Sequence, residues 1–257
     1  MAWLPRVHLS ALDDAQVREL VTRWLDNDGE KISVFFDQLE KSRSLAEMMI
    51  VPLLATLIVL VFKQTGKLPE NKARLYEIFV DLHNGGWDLA KGLQRPSHFS
   101  AAIKMFVLKY IAASIHKARR REIVESDAAT VVHQNLGEVD WDKLRRELLQ
   151  DGLIIQQGAM ISFAHHSFQE FLTARHLLGN LKPQELDTYC DEYLKGSDWW
   201  QEVLCFYIDL SGKPREIRAW LDERLQAACK FSERRPTAEK AVSFLTQHLE
   251  RSFPFAK

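Results

Sequence analysis

The helical period that runs through most of this chain is interrupted at "LIIQQGAMISFAHH", Leu153 to His166, where two apolar runs meet at a tight turn near Gln157 and Gly158. Short apolar runs around turn residues predict a β-hairpin. Its place in the order of elements constrains the fold more than any other feature. Three helical patterns precede it: "FSAAIKMFVLKYIAASIHKARRR" from Phe99, "SDAATVVHQNL" from Ser126, with Ser126 or Asp127 as its cap, and "VDWDKLRRELLQDG", which closes on Gly152. A further helix, "SFQEFLTARHLL", follows. Three helices, a hairpin and another helix is the order of a winged-helix domain.

Upstream, the apolar set Val17, Leu20, Val21, Trp24 and Leu25 follows helical spacing, with Asp13 and Gln16 as a capping box. Ahead of it Trp3, Leu4, Val7 and Leu9 suggest a lone edge strand, an aggregation liability unless it is paired. "KISVFFDQLEKS" and the apolar run after it read as two or three helices, the second entered at Pro52, a residue tolerated in a first turn. Thr65 to Pro69 carries turn chemistry, Leu75, Ile78, Phe79 and Leu82 form a buried stripe, and Gly85-Gly86 loosens or stops that helix. After Pro183 the chain is helical again, through "DWWQEVLCFYIDLSG" and "IRAWLDERLQAACK". The expected fold is therefore mainly α: a helical bundle, then a winged-helix domain with a small β-hairpin, then a C-terminal α-helical region.

Charge and composition remove several function classes. Lys and Arg, 34 together, nearly cancel 35 Asp and Glu, so no whole-chain field steers the protein onto nucleic acid or an anionic membrane. Three scattered cysteines, with no C-x-x-C pair, fit a reducing compartment and place the chain in the cytoplasm. The apolar run Met48 to Phe62 is 15 residues long and contains Pro52. A membrane-spanning helix needs about 20 apolar residues, so no membrane association is expected. Neither G-x-x-x-x-G-K-[ST] nor G-x-G-x-x-G occurs, and the chain is not expected to be an enzyme on its own.

Two stretches carry candidate chemistry. In "ISFAHHSFQEFLTARHLL" the S-x-x-E relation of Ser167 and Glu170 predicts a capping box and a helix starting at Phe168. His165 and His166 then fall on the strand-to-helix corner, one facing in and one out, where free N–H groups and a donating imidazole suit a phosphate. Zinc is not expected, because H-E-x-x-H and a nearby cysteine are both absent, and the missing G-x-S-x-G elbow argues against a nucleophilic Ser167. "HKARRR", His116 to Arg121, is a local basic cluster on which a winged-helix DNA-binding regulator could rest, but positive charge also suits the end of a helix.

Two motifs resemble those of NACHT-type STAND NTPases. "VPLLATLIVLVFKQTGKLPENKARLYEIFVDL" is similar to that family's first helical domain, and "FAHHSFQEFLTARHL" to its winged-helix signature F-x-H-x-S-F-Q-E-F-L-A-A. They stand in the family's order, and the resemblance extends over nearly the whole chain, least closely after Lys182. It implies a remnant of the nucleotide-binding domain at 1–28, a helical domain at 29–92, a winged-helix domain at 93–180 and a helical region at 181–257.

The resemblance also implies site residues: Pro52 as the proline that packs near adenine, and His165 as the histidine that contacts the β-phosphate of bound ADP. Val51 stands where asparagine is usual, and His166 at a variable position. The Walker lysine, Walker acids and sensor arginine of the family would precede Met1. The expectation is a truncated or split product, or a polypeptide working with an upstream partner. ADP or ATP would bind only together with that P-loop nucleotide-binding domain, supplied in cis or in trans. The implied function is an ADP-locking and oligomerisation module, forming a homo-oligomer on activation, in phage-defence or innate-immune signalling. The alternative is a winged-helix DNA-binding regulator or adaptor.

Overall fold

The computed structural model describes residues 10–86, 97–180, 183–229 and 235–253. The strand expected through Trp3, Leu4, Val7 and Leu9 lies outside the described residues. The chain divides after Phe79 into two units.

The first unit is helical. Asp13 caps α1 (Asp14–Trp24) by the reciprocal pair that its spacing to Gln16 predicts: the carboxylate accepts from Gln16 N–H at 2.8 Å, and Gln16 Oε1 accepts from Asp13 N–H at 3.0 Å. Three helices follow, α2 (Gly29–Glu40), α3 (Arg43–Met48) and α4 (Pro52–Thr65), and then α5 (Lys72–Asp81) begins. Pro52 is the first residue of α4, where its missing N–H leaves nothing unpaired.

The apolar run is a core helix. Leu54, Ala55, Leu57, Ile58, Val59, Val61 and Phe62 are all buried on α4, and Phe35 of α2 meets Phe62 edge-to-face at 5.1 Å. Among the described residues no helix is long and apolar enough to cross a membrane. At its end Gly66 takes φ +69°, a left-handed conformation that glycine adopts without a Cβ clash. The turn is then pinned to α2, whose Gln38 amide accepts from Leu68 N–H at 2.9 Å and donates to Gly66 O at 3.3 Å.

In the second unit the diglycine loosens the chain as expected, through a π-helical turn at Leu82–Gly86. Ser100 caps α6 (Ala101–Lys117), accepting from Ile103 N–H at 3.3 Å. Next come β1 (Glu122–Val124), α7 (Glu125–Leu136), α8 (Trp141–Gln150), β2 (Ile154–Gln157), β3 (Met160–Phe163) and α9 (His166–Asn180). The hairpin turns where predicted, but it belongs to a three-stranded antiparallel sheet in the order β1-β3-β2, with Glu122 opposite Ser162 and Ile155 opposite Ser162 on the other side.

That extra strand changes two details. The helix from Phe99 stops at Lys117 instead of running through the arginines, and Arg119 at φ +54° turns the chain into β1. Neither Ser126 nor Asp127 caps α7, because β1 runs directly into it: Val124 is the N-cap, without a side-chain bond, and Glu125 N–H donates to Ala159 O at 2.8 Å.

Beyond α9 the chain continues with α10 (Pro183–Leu194), a 3₁₀ turn at Asp198–Trp200, α11 (Gln201–Ser211), α12 (Pro214–Ala228) and α13 (Arg235–Ser252). Helix α9 packs against both α6 and α11. Fully buried Phe171 of α9 meets Phe206 of α11 edge-to-face at 5.4 Å, so the winged helix and the helices after it share a core. Phe171→Ala should lower the stability of the second unit by about 3–5 kcal/mol, read from the urea midpoint. A loss under about 1 kcal/mol would show that this ring does not join the two sets of helices.

Candidate functional site

The strand-to-helix corner begins with a competition for the first free N–H groups of α9. The helix starts at His166, two residues before the expected Phe168. His165 is an acceptor there. Its Nδ1 accepts from Ser167 N–H at 3.2 Å, its carbonyl accepts from Phe168 N–H at 3.1 Å, and Ser167 Oγ lies 2.6 Å from the same Nδ1. A backbone N–H can only donate, so Nδ1 is the acceptor and the ring proton resides on Nε2. The ring is exposed, at the N-terminus of a 15-residue helix. It is a donor beside the positive end of a helix dipole, an arrangement that suits an anion.

His166 faces the other way, as the two-histidine pattern suggests. Its ring centroid is 6.0 Å from that of His116 and 5.4 Å from that of Trp199, and Nε2 lies 3.3 Å from Glu170 Oε1 one turn on. Burial lowers its affinity for a proton, and the charge of Arg121 acts in the same direction. Behind it, His116 is fully buried. Gln169 Nε2 faces His116 Nδ1 at 3.3 Å and donates to Arg120 O at 3.0 Å, while His116 Nε2 faces Trp199 O at 3.2 Å. Trp199 Nε1–H returns a bond to His116 O at 2.9 Å. Burial, with a contribution from His166, depresses the His116 pKa to about 3, so the ring is neutral.

A second polar cluster ties α6 to α8. Lys104 lies 3.2 Å from Glu147 and 3.0 Å from Asp151, and its side chain is 6% exposed. Burial raises the Glu147 pKa, but bonds from His98 N–H, Ser97, the His98 ring and Lys104 outweigh it and hold the group at about 2. The sequence alone points neither to the Lys104 cluster nor to the contact of His116 with Trp199 and Gln169.

Part of the basic run is committed to its own protein, while Arg120 and Arg121 are exposed. His116 is core, Lys117 pairs with Glu185 at 3.4 Å, and Arg119 pairs with Glu192 at 2.7 Å. Helix α8 exposes a mixed set, Asp142, Lys143 and Arg146, while Arg145 is held by Glu125 at 3.2 Å and by Asp142. The β2–β3 wing has neither lysine nor arginine.

In the first unit, Pro52 is half-buried behind exposed Ile50 and Val51, an apolar corner at the start of α4. Val51 is the extended N-cap, without a side-chain bond, and Ile50 O accepts from Leu12 N–H at 2.7 Å.

Residues 72–177 match the family model of the winged helix-turn-helix domain C-terminal to NACHT. The match runs from the start of α5 to the last turns of α9 and contains His165, His116 and Gln169. This segment is a NACHT-type region from downstream of the P-loop core. No match was found among curated proteins.

The buried histidines give the second unit a pH signature. With an ordinary pKa of 6.5 and a folded value of about 3, His116 binds a proton in the unfolded chain at pH values where the folded chain refuses it. Stability therefore falls as pH drops from 6.5 toward 3, and His176, depressed to about 4 by burial, adds to the loss. Urea midpoints taken between pH 6.5 and 4.5 should decline, with a shallower slope in His116→Asn. Equal slopes would contradict the buried neutral ring.

Proposed function

Proceeding from a winged-helix domain of the NACHT-associated kind, we propose that this chain is the nucleotide-sensing, ADP-locking and oligomerisation module of a NACHT-type signalling ATPase, acting in cytoplasmic defence or innate-immune-like signalling. The P-loop domain is its partner, in cis or in trans, and the chain itself supplies no catalytic group. His165 is the nucleotide contact on the winged helix, and Pro52 the apolar contact for adenine on the helical bundle.

The observation that carries this reading is His165 itself: an exposed imidazole at a helix N-terminus, whose Nδ1 accepts from Ser167 N–H so that Nε2 bears the ring proton. Those features fit a diphosphate, which accepts hydrogen bonds and carries negative charge. Ile50, Val51 and Pro52 fit a flat apolar ring in the same sense, through exposed hydrocarbon at the start of α4. Bound ADP would supply the negative charge and hydrogen-bond acceptors. Within the chain, Ser167 fixes the His165 tautomer and Gln169 anchors the first turn of α9 to the end of α6.

A ligand that contacts one arrangement of a two-state protein and not the other biases the pair by its difference in affinity. ADP contacted by His165 favours the closed arrangement, and losing that contact favours the open one that oligomerises. The charge pattern supports this reading over duplex recognition, because the wing has no cation and the exposed face of α8 mixes signs.

In the protein reconstituted with its NACHT P-loop domain, His165→Ala should speed ADP release about tenfold or more, as expected for one hydrogen bond to a charged group, and raise basal oligomerisation. An ADP off-rate equal to that of the parent would remove the assignment of His165.

A further inference from the structure

The turn Asp198–Trp200 joins α10 to α11, beyond the winged helix, yet it touches the first turn of α9. His116 and Trp199 exchange two bonds, each ring nitrogen facing the other residue's main-chain carbonyl, at 3.2 and 2.9 Å. Their rings stack with centroids 4.7 Å apart, and His166 lies against both. His166 is the first residue of α9 and the immediate neighbour of His165. One turn later Gln169 reaches the free side of the His116 ring and the carbonyl of Arg120.

The same turn is gripped from its other side. Trp200 Nε1–H donates to Glu192 at 2.7 Å, Tyr189 stacks on Trp200 with centroids 3.8 Å apart, and Arg119 reaches Ser197 Oγ at 3.3 Å. The chain of contact from α10 to the corner bearing His165 thus runs through close packing and paired polar atoms, and packing of that kind has few intermediate arrangements.

We propose that Trp199 is a positioning residue for the nucleotide site: through His116 and His166 it sets the first turn of α9, and with it the direction in which His165 presents Nε2, so that a displacement of the C-terminal helices reaches the site. This rests on the reading of His165 as the nucleotide contact. Trp199 touches no nucleotide in this account.

The test compares Trp199→Phe, which keeps a stacking ring but loses the bond to His116 O, with Trp220→Phe, which loses a similar indole bond to Asp187 on α10. In the chain alone, imidazole nitrogen resonances of His165 should move in W199F and stay in place in W220F. In the reconstituted protein, W199F should release ADP about threefold faster or more, the worth of one hydrogen bond, and the double variant W199F/H165A should be no faster than H165A. Unmoved His165 signals in folded W199F, or a double variant whose factor is the product of the two, would overturn the inference. If H165A itself leaves release unchanged, the nucleotide reading fails, and the resonances of His165 still decide the coupling. Arg119→Ala, an exposed change that loosens the same turn, should give a smaller shift of the same sign should W199F not fold.

Discussion

An uncharged histidine ring with no solvent around it holds the second unit together. His116 is tolerable in the core because both of its nitrogens are taken: Nδ1 by the Gln169 amide and Nε2 by Trp199 O. Leaving such a group unpaired costs about 1–3 kcal/mol, so its partners must stay where they are. Gln169 lies on α9, Trp199 just ahead of α11 and His116 near the end of α6. One ring therefore fixes the mutual register of three elements, and the apolar contact of Phe171 with Phe206 joins α9 to α11 as well.

From that constraint the candidate site follows. Because the first turn of α9 is held from behind, His166 points inward and its neighbour is turned out. His165 caps the helix it precedes: Nδ1 accepts from Ser167 N–H, which puts the ring proton on Nε2. The signature F-x-H-x-S-F-Q-E-F-L divides in the same way. Its phenylalanines and leucine are core, its glutamine is the buried amide, its serine orients the ring, and its histidine is the exposed donor.

Features whose partners lie a few residues away were legible in the sequence. The Asp13 and Gln16 cap, Pro52 at the start of α4, the loosening at Gly85-Gly86 and the turn at Gln157-Gly158 all depend on local geometry, and each stands where the spacing places it. Strand β1 was not legible: three residues carry no period, and they become a strand only by pairing with β3, nearly forty positions later. The S-x-x-E spacing of Ser167 and Glu170 marks the helix start to within two residues, but the acceptor role of His165, two residues before Ser167, carries no such pattern. The His116–Trp199 pair spans 83 positions, and nothing around either residue announces the other. The basic run is visible as a cluster, but the pairing of Lys117 with Glu185 and of Arg119 with Glu192 is not, since both acids come from a helix about seventy residues on.

The central claim is that this chain helps a NACHT P-loop domain hold ADP, and nucleotide content measures it most directly. The P-loop domain would be purified with and without this chain, and its bound nucleotide extracted and quantified. The account predicts close to one ADP per P-loop domain when the chain is present and a clear loss without it. Equal ADP content in the two preparations would contradict it.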